Sequence, residues 1–95
     1  MAYVFADAGD TPGTVVSRFF FPSGAAVLED PATGSACANL GGWYCAMRPG
    51  EDVSRTVFQG DEVRRPSTLL LGVRSGAVSV GGDVIELARG SLTLR

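Results

Sequence analysis

Eight consecutive residues carry most of the chemistry open to this chain: Glu29-Asp30-Pro31-Ala32-Thr33-Gly34-Ser35-Ala36. They stand where a loop runs into an apolar segment that reads as a helix. Two readings fit an acid, two hydroxyls and a glycine at such a junction. In one, Asp30 is a structural N-cap and Pro31 fills the first turn, positions that both residue types favour. In the other, the cap is Thr33 or Ser35, and Gly34 lets a ligand approach the backbone. The free amides and the helix dipole then face an anion such as a carboxylate. Asp30 hangs over that anion as a proton donor or acceptor. Spacing alone leaves both readings open.

The rest of the chain narrows the chemistry by what it lacks. There is no His, which removes the commonest general base and the commonest metal ligand. All eight basic residues are Arg, so Schiff-base and phosphate-lysine chemistry is excluded. Cys37 and Cys45 are eight residues apart, about 12 Å along a helix axis, too far for a disulfide. Two cysteines without His make no zinc site, so no metal is expected. They read as small buried hydrophobes, with a reactive Cys37 at the helix start as the alternative. Arg64 and Arg65 read as solvated or paired with Asp61 and Glu62. Trp43 and Tyr44 read as core.

These residues need elements to position them. Ninety-five residues suit one domain, residues 1–95. The composition, 45% hydrophobic and 19% charged with mean hydropathy +0.19, is globular and excludes disorder. No apolar run approaches the roughly 20 residues of a membrane span. Net charge −2 and a pI near 4.9 make nucleic acid and anionic membrane poor partners. The N-terminus has no signal-peptide pattern, and with two thiols the chain is expected in the cytoplasm.

Strands are expected over residues 2–6 and 14–21, and a loop over 22–29. The one helix is expected from Pro31 to about Met47, stopped by Arg48-Pro49-Gly50. Strands follow over 54–59, 68–74, 77–80, 84–88 and 91–94. The helix carries no charge between Ala36 and Met47, and Gly41 and Gly42 each cost about 1 kcal/mol relative to Ala. A helix apolar all round is buried all round. The expected fold is therefore α+β, a curved antiparallel sheet or half-barrel wrapped around one central buried helix; the alternative is a helix lying on one face of an open sheet, which would normally show a polar stripe that this segment lacks.

Arg18-Phe19-Phe20-Phe21-Pro22, the Glu29–Ala36 string, Gln59-Gly60, Arg65-Pro66-Ser67 and Val80-Gly81-Gly82 occur in an order and spacing that resembles the second half of PhzF-like phenazine-biosynthesis isomerases. The likeness runs from Tyr3 to Leu94, and the Glu-Asp-Pro-Ala-Thr-Gly-Ser-Ala string is its specific element. It implies the diaminopimelate epimerase-like fold, two similar halves each curved around a central helix, with the site between them. It also implies acid–base chemistry without a cofactor. A carboxylate takes a proton from carbon beside a carboxyl or unsaturated system, and a proton is returned elsewhere. Asp30 matches the family's second-half acid/base aspartate. Thr33, Gly34 and Ser35 match the helix start that binds the substrate carboxylate.

The first half, which in that family carries a Glu base and a substrate-contacting His, has no counterpart in these residues. One chain then holds one wall of a two-walled site. The expected partners are a small carboxylate-bearing substrate and a second wall. That wall comes from a separate first-half chain or from a second copy in a two-fold homodimer, which would face Asp30 against Asp30. An isolated monomer is expected to be inactive, because an open wall loses positioning and low-dielectric electrostatics. A non-catalytic binding module for a small carboxylate or a protein is the alternative.

Overall fold

The computed structural model describes residues 1–95. Its sheet has six strands: β1 (Ala2–Asp7), β2 (Thr14–Ser23), β3 (Ala26–Asp30), β4 (Val53–Gln59), β5 (Ser67–Arg74) and β6 (Ala77–Gly81). The single α-helix, α1 (Gly34–Met47), lies between β3 and β4 in sequence, and a short 3-10 turn spans Asp61–Val63. The strand order is β1-β2-β4-β5-β6, with β3 also paired to β2. β2 is long enough to serve two neighbours on one side. Thr14–Ser17 pair with β4, and Phe19–Ser23 pair with β3.

Four of the five pairings are antiparallel, as the alternating pattern suggested, and β2 with β4 is parallel. A parallel pair needs a long crossover. Here the crossover is the β3 hairpin strand followed by α1. The sheet curves around the helix without closing, so the architecture is the half-barrel that composition implied.

The core follows the two-residue period of the strands. Val15 of β2, Val53 and Val57 of β4, and Leu69, Leu71 and Val73 of β5 all point inward. Cys37, Leu40 and Tyr44 of α1 meet them. Gly41 explains the helix glycine on this side: a Cβ there would lie 2.5 Å from Val78 Cγ1 and 3.1 Å from Leu71 Cδ1. Its absence lets β5 and β6 approach the helix closely.

The structure departs from the sequence expectation in five places, the first being the helix start, which falls at Gly34 and not at Pro31. The helix is buried along one stripe, not all round: Ala36, Cys37, Leu40, Gly41 and Tyr44 face the sheet, while Ser35, Asn39, Gly42, Trp43, Ala46 and Met47 are exposed. The sheet stops at six strands and leaves that flank open. Trp43 is accordingly not core. It is 44% exposed and meets Phe5 edge-on at 5.3 Å. Residues 26–30 form a strand where a loop was expected, because Gly24, at φ +59°, turns the chain back on β2. Residues 84–88 and 91–94 form no strand; residues 82–95 extend from the body without secondary structure. No helix is long and apolar enough to cross a membrane.

Candidate active site

The helix begins at Gly34, and Thr33 occupies the N-cap position with φ −118° and ψ 89°. No side chain caps it. The first intrahelical bond runs from the Cys37 amide to the Thr33 carbonyl at 3.0 Å, which leaves the earlier amides of the first turn without an intrahelical acceptor. The helix start therefore has no side-chain cap and no acidic residue in its first turn, and the positive end of its dipole lies at these free amides.

The Thr33 side chain serves the carboxylate beside it instead. Its hydroxyl donates to Asp30 Oδ2 at 2.6 Å and accepts from Gln59 Nε2 at 2.9 Å. The same Gln59 nitrogen donates to the Asp30 carbonyl at 2.8 Å. Gln59 Oε1 accepts from the Thr33 amide at 3.4 Å and from the Ser17 hydroxyl at 3.5 Å. Gln59 is 2% exposed, so it is a buried clamp on the Asp30–Thr33 loop. Gly60, next along, sits at φ +94°, and a Cβ there would lie 2.7 Å from the Pro31 carbonyl oxygen. The Gln59-Gly60 pair at the end of β4 is thus the seat of the loop: one residue grips it, the other makes room for it.

Glu29 and Asp30 point to opposite faces of the sheet, as successive strand residues must. Asp30 pairs with Phe19, Glu29 with Phe20. Glu29 Oε1 accepts from Arg18 Nε at 2.7 Å, and the guanidinium also lies 5.0 Å above the Phe20 ring. Glu29 Oε2 is buried without a hydrogen-bond partner. Glu29 is therefore committed to Arg18 on the face away from Asp30.

Two cavities flank the helix start. One of about 340 Å³ is lined by Met1, Tyr3, Phe19, Ser35, Ala36 and Asn39. The other, about 530 Å³, reaches from Ala32 and Gly34 to Ser67, Thr68, Gly82 and Asp83. The structure therefore brings Asp30 and Thr33 into contact and sets Ser35 and Gly34 beside separate openings; neither cavity is lined by Asp30 itself. Tyr3 lines the smaller cavity, and its hydroxyl is buried with no hydrogen-bond partner. Burial raises its pKa above the usual phenol range, an effect that Ser17 nearby tempers and Cys37 reinforces. Sequence reasoning gave no role to Tyr3 or Ser17, and met Gln59 only as part of a family motif. Only the Gln59-Gly60 pair carried a signal.

The remaining candidates lie elsewhere. Cys37 is buried, and burial raises its pKa, which opposes the thiolate that a reactive cysteine needs. Cys45 is half-buried and unpaired. Arg64 and Arg65 form no ion pair with Asp61 or Glu62; the ion pairs are Arg18–Glu29, Arg74–Asp52 and Arg89–Glu86. No three metal-ligating side chains converge.

The profile of the phenazine biosynthesis-like protein family matches residues 2–90. The chain belongs to this family. An uncharacterized isomerase of Pasteurella multocida is 47% identical over 76 residues, 79% of this chain and 26% of that protein. A secreted LysM effector of Beauveria bassiana is 38% identical over 69 residues, 70% of this chain and 17% of that protein. The chain thus spans about a quarter or less of the length of these curated relatives. No solved structure matches it.

Proposed function

We propose that this phenazine biosynthesis-like chain forms one wall of an isomerase site. It binds a small carboxylate at the start of α1 and moves a proton to or from carbon through Asp30, without a cofactor. The carrying observation is the clamped Asp30 beside an uncapped helix start. Thr33 donates to Asp30 at 2.6 Å, Gln59 holds both residues, and the first-turn amides lack intrahelical acceptors. The amides of Gly34 and Ser35 hold the carboxylate through hydrogen bonds and the dipole. Thr33 contributes by orienting Asp30, since its hydroxyl has a single hydrogen and Asp30 receives it.

A proton taken from a carbon acid needs an environment that excludes water. This wall is open, so the second wall comes from a first-half chain or a second copy of this one. The isolated monomer is inactive.

Deuterium wash-in tests the proposal. The assembled protein is incubated in heavy water with small carboxylates that carry an acidic carbon–hydrogen bond next to the carboxyl or an alkene. Incorporation is expected at that carbon, reduced roughly 100-fold or more by Asp30→Asn, the scale of a lost general acid–base group. Incorporation that survives the substitution removes Asp30 as the carrier. No incorporation by an assembled protein whose helix-start amides are saturated with carboxylate contradicts the isomerase reading.

A further inference from the structure

Two hydroxyls lie in the core beneath the helix start with no part in the chemistry described so far. Ser17, on β2, is 2% exposed, and the Tyr3 hydroxyl, on β1, is buried with no hydrogen-bond partner. A buried hydroxyl without a partner is costly, and such groups cluster where a working site needs them. The strand register places both beside the acid. Ser17 is the parallel partner of Gln59, and Phe19, two residues on, is the partner of both Asp30 and Tyr3. Residues 15, 17 and 19 of β2 share the inward face with the core residue Val15. Tyr3 and Ser17 are thus diagonal neighbours on that face, a separation that an aromatic side chain can span.

The hydrogen-bond directions around Gln59 follow from the donors available. The Thr33 amide can only donate, so the Gln59 atom that it meets at 3.4 Å is the oxygen. Gln59 Nε2 gives its two hydrogens to the Asp30 carbonyl and the Thr33 hydroxyl. Thr33 gives its one hydrogen to Asp30 Oδ2. Ser17 faces the Gln59 oxygen and donates to it at 3.5 Å, the longest of the four bonds on this side chain. Ser17 Oγ keeps lone pairs free to accept, and Tyr3 has a hydrogen with no acceptor. Burial raises the Tyr3 pKa, Ser17 offsets part of that rise, and Cys37 adds to it. Of these two polar neighbours the hydroxyl is the better acceptor, since a thiol accepts weakly. A donor onto Ser17 also polarises its O–H and strengthens the bond that it makes to Gln59.

We propose that Ser17 and Tyr3 are positioning residues for Asp30: the Tyr3 hydroxyl closes onto Ser17, Ser17 holds Gln59, and Gln59 and Thr33 hold the acid. The chain then runs in one direction, with every side-chain hydrogen pointing toward Asp30. It carries the hold on the acid from the loop back to β4, β2 and β1, the rigid elements that a precise site needs behind it. Both residues act through Gln59 and not on the reacting carbon. The inference rests on the proposed role of Asp30 as proton carrier.

The test is the deuterium wash-in assay on the assembled protein, with kcat and KM read separately for Ser17→Ala, Tyr3→Phe and the double variant. Each single variant is expected to lower kcat roughly 3–10-fold, the scale of one hydrogen bond. KM for the carboxylate is expected to stay unchanged, because the helix-start amides are untouched. The double variant is expected to lose no more than Ser17→Ala alone, because Tyr3 acts only through Ser17. Additive losses, an effect confined to KM, or an unchanged kcat overturns the proposal. Tyr3→Phe keeps the ring and its packing, so it decides the matter even if Ser17→Ala fails to fold.

A second readout is free of catalysis: solvent exchange of the Gln59 side-chain amide hydrogens, followed by NMR on the 95-residue chain. Tyr3→Phe and Ser17→Ala are each expected to speed that exchange by a similar factor, again without adding. An exchange rate that Tyr3→Phe leaves unchanged overturns the proposal. Absence of wash-in by the assembled wild type removes the isomerase reading, and the exchange measurement then still decides whether Tyr3 and Ser17 hold Gln59.

Discussion

Gln59 and Asp30, 29 positions apart, are joined by a hydrogen bond of 2.8 Å from the buried amide of one to the backbone carbonyl of the other. Through that bond, and a second to the Thr33 hydroxyl at 2.9 Å, the end of β4 fixes where the acid stands. A flexible loop could not hold a carboxylate to the fraction of an ångström that proton transfer rewards. The site is thus built from the sheet outward: β4 ends in Gln59-Gly60, the loop is seated on that pair, and the helix starts where the loop releases it.

Gln59→Leu keeps roughly the same volume but removes both donors and the acceptor. The Asp30 carbonyl and the Thr33 amide are then left short of partners in a partly buried setting. Urea unfolding is expected to show a loss of about 2–3 kcal/mol. The Thr33→Val variant removes only the hydroxyl and is expected to cost about 1 kcal/mol.

Gly60→Ala forces a side chain into a left-handed backbone conformation and against Pro31 and Arg65. A loss of roughly 2 kcal/mol or more is expected in the same assay, from strain and contact together. Carboxylate binding should weaken with it, because the loop that Gly60 seats leads into the helix start. Titration of the variant at a temperature where it remains folded checks that coupling.

The two helix glycines should respond in opposite ways. At Gly42 a Cβ would meet nothing within 4 Å, so Ala gains helix propensity and is expected to stabilise by about 0.5–1 kcal/mol. At Gly41 the same change meets Val78 and Leu71 and is expected to cost about 1–2 kcal/mol net, once overpacking is set against propensity. Thermal unfolding of the two variants under identical conditions reads the difference.

Burial raises the pKa of both Cys37 and Tyr3 in the fold. The folded state then keeps protons that the unfolded chain releases at high pH, and stability falls as pH rises. The contribution is intact at neutral pH. It begins to be lost as pH passes the ordinary thiol value of 9.0, for Cys37, and the ordinary phenol value of 10.0, for Tyr3. Denaturant midpoints at pH 7, 9 and 10, roughly, should decline in that order, and Cys37→Ala should flatten the first part of the decline.

Much of this arrangement was legible in the sequence because local signals agreed with one another. The pattern of apolar and β-branched residues placed strands over 54–59, 68–74 and 77–80, within one residue of their ends, and the charge-free segment with Arg48-Pro49-Gly50 behind it placed the body and end of the helix. What escaped were features that depend on a partner. Pro22 and Gly24 read as loop residues, and only the pairing of residues 26–30 with β2 shows a hairpin. Alternation in residues 84–94 states that a strand can form there, not which sheet receives it. Trp43 reads as core because an aromatic on an apolar helix usually is; the flank it faces is left open by this chain. Of the candidate site, residue types offered Asp30 and the helix start without choosing between a structural cap and an anion site, and only the likeness to PhzF-like proteins favoured the second. The role of Gln59 was not legible, because a buried amide gives no sign of its partners until the strand that carries it is placed.

The most direct measurement of the central claim is a residue-resolved amide NMR titration with a small carboxylate. In the proposed site the anion sits at the start of α1 beside Asp30. The amide resonances of Gly34 and Ser35 should therefore move most, saturably, and the change should weaken as salt is raised. Shifts concentrated at Arg64 and Arg65, with Gly34 and Ser35 unmoved, would contradict it.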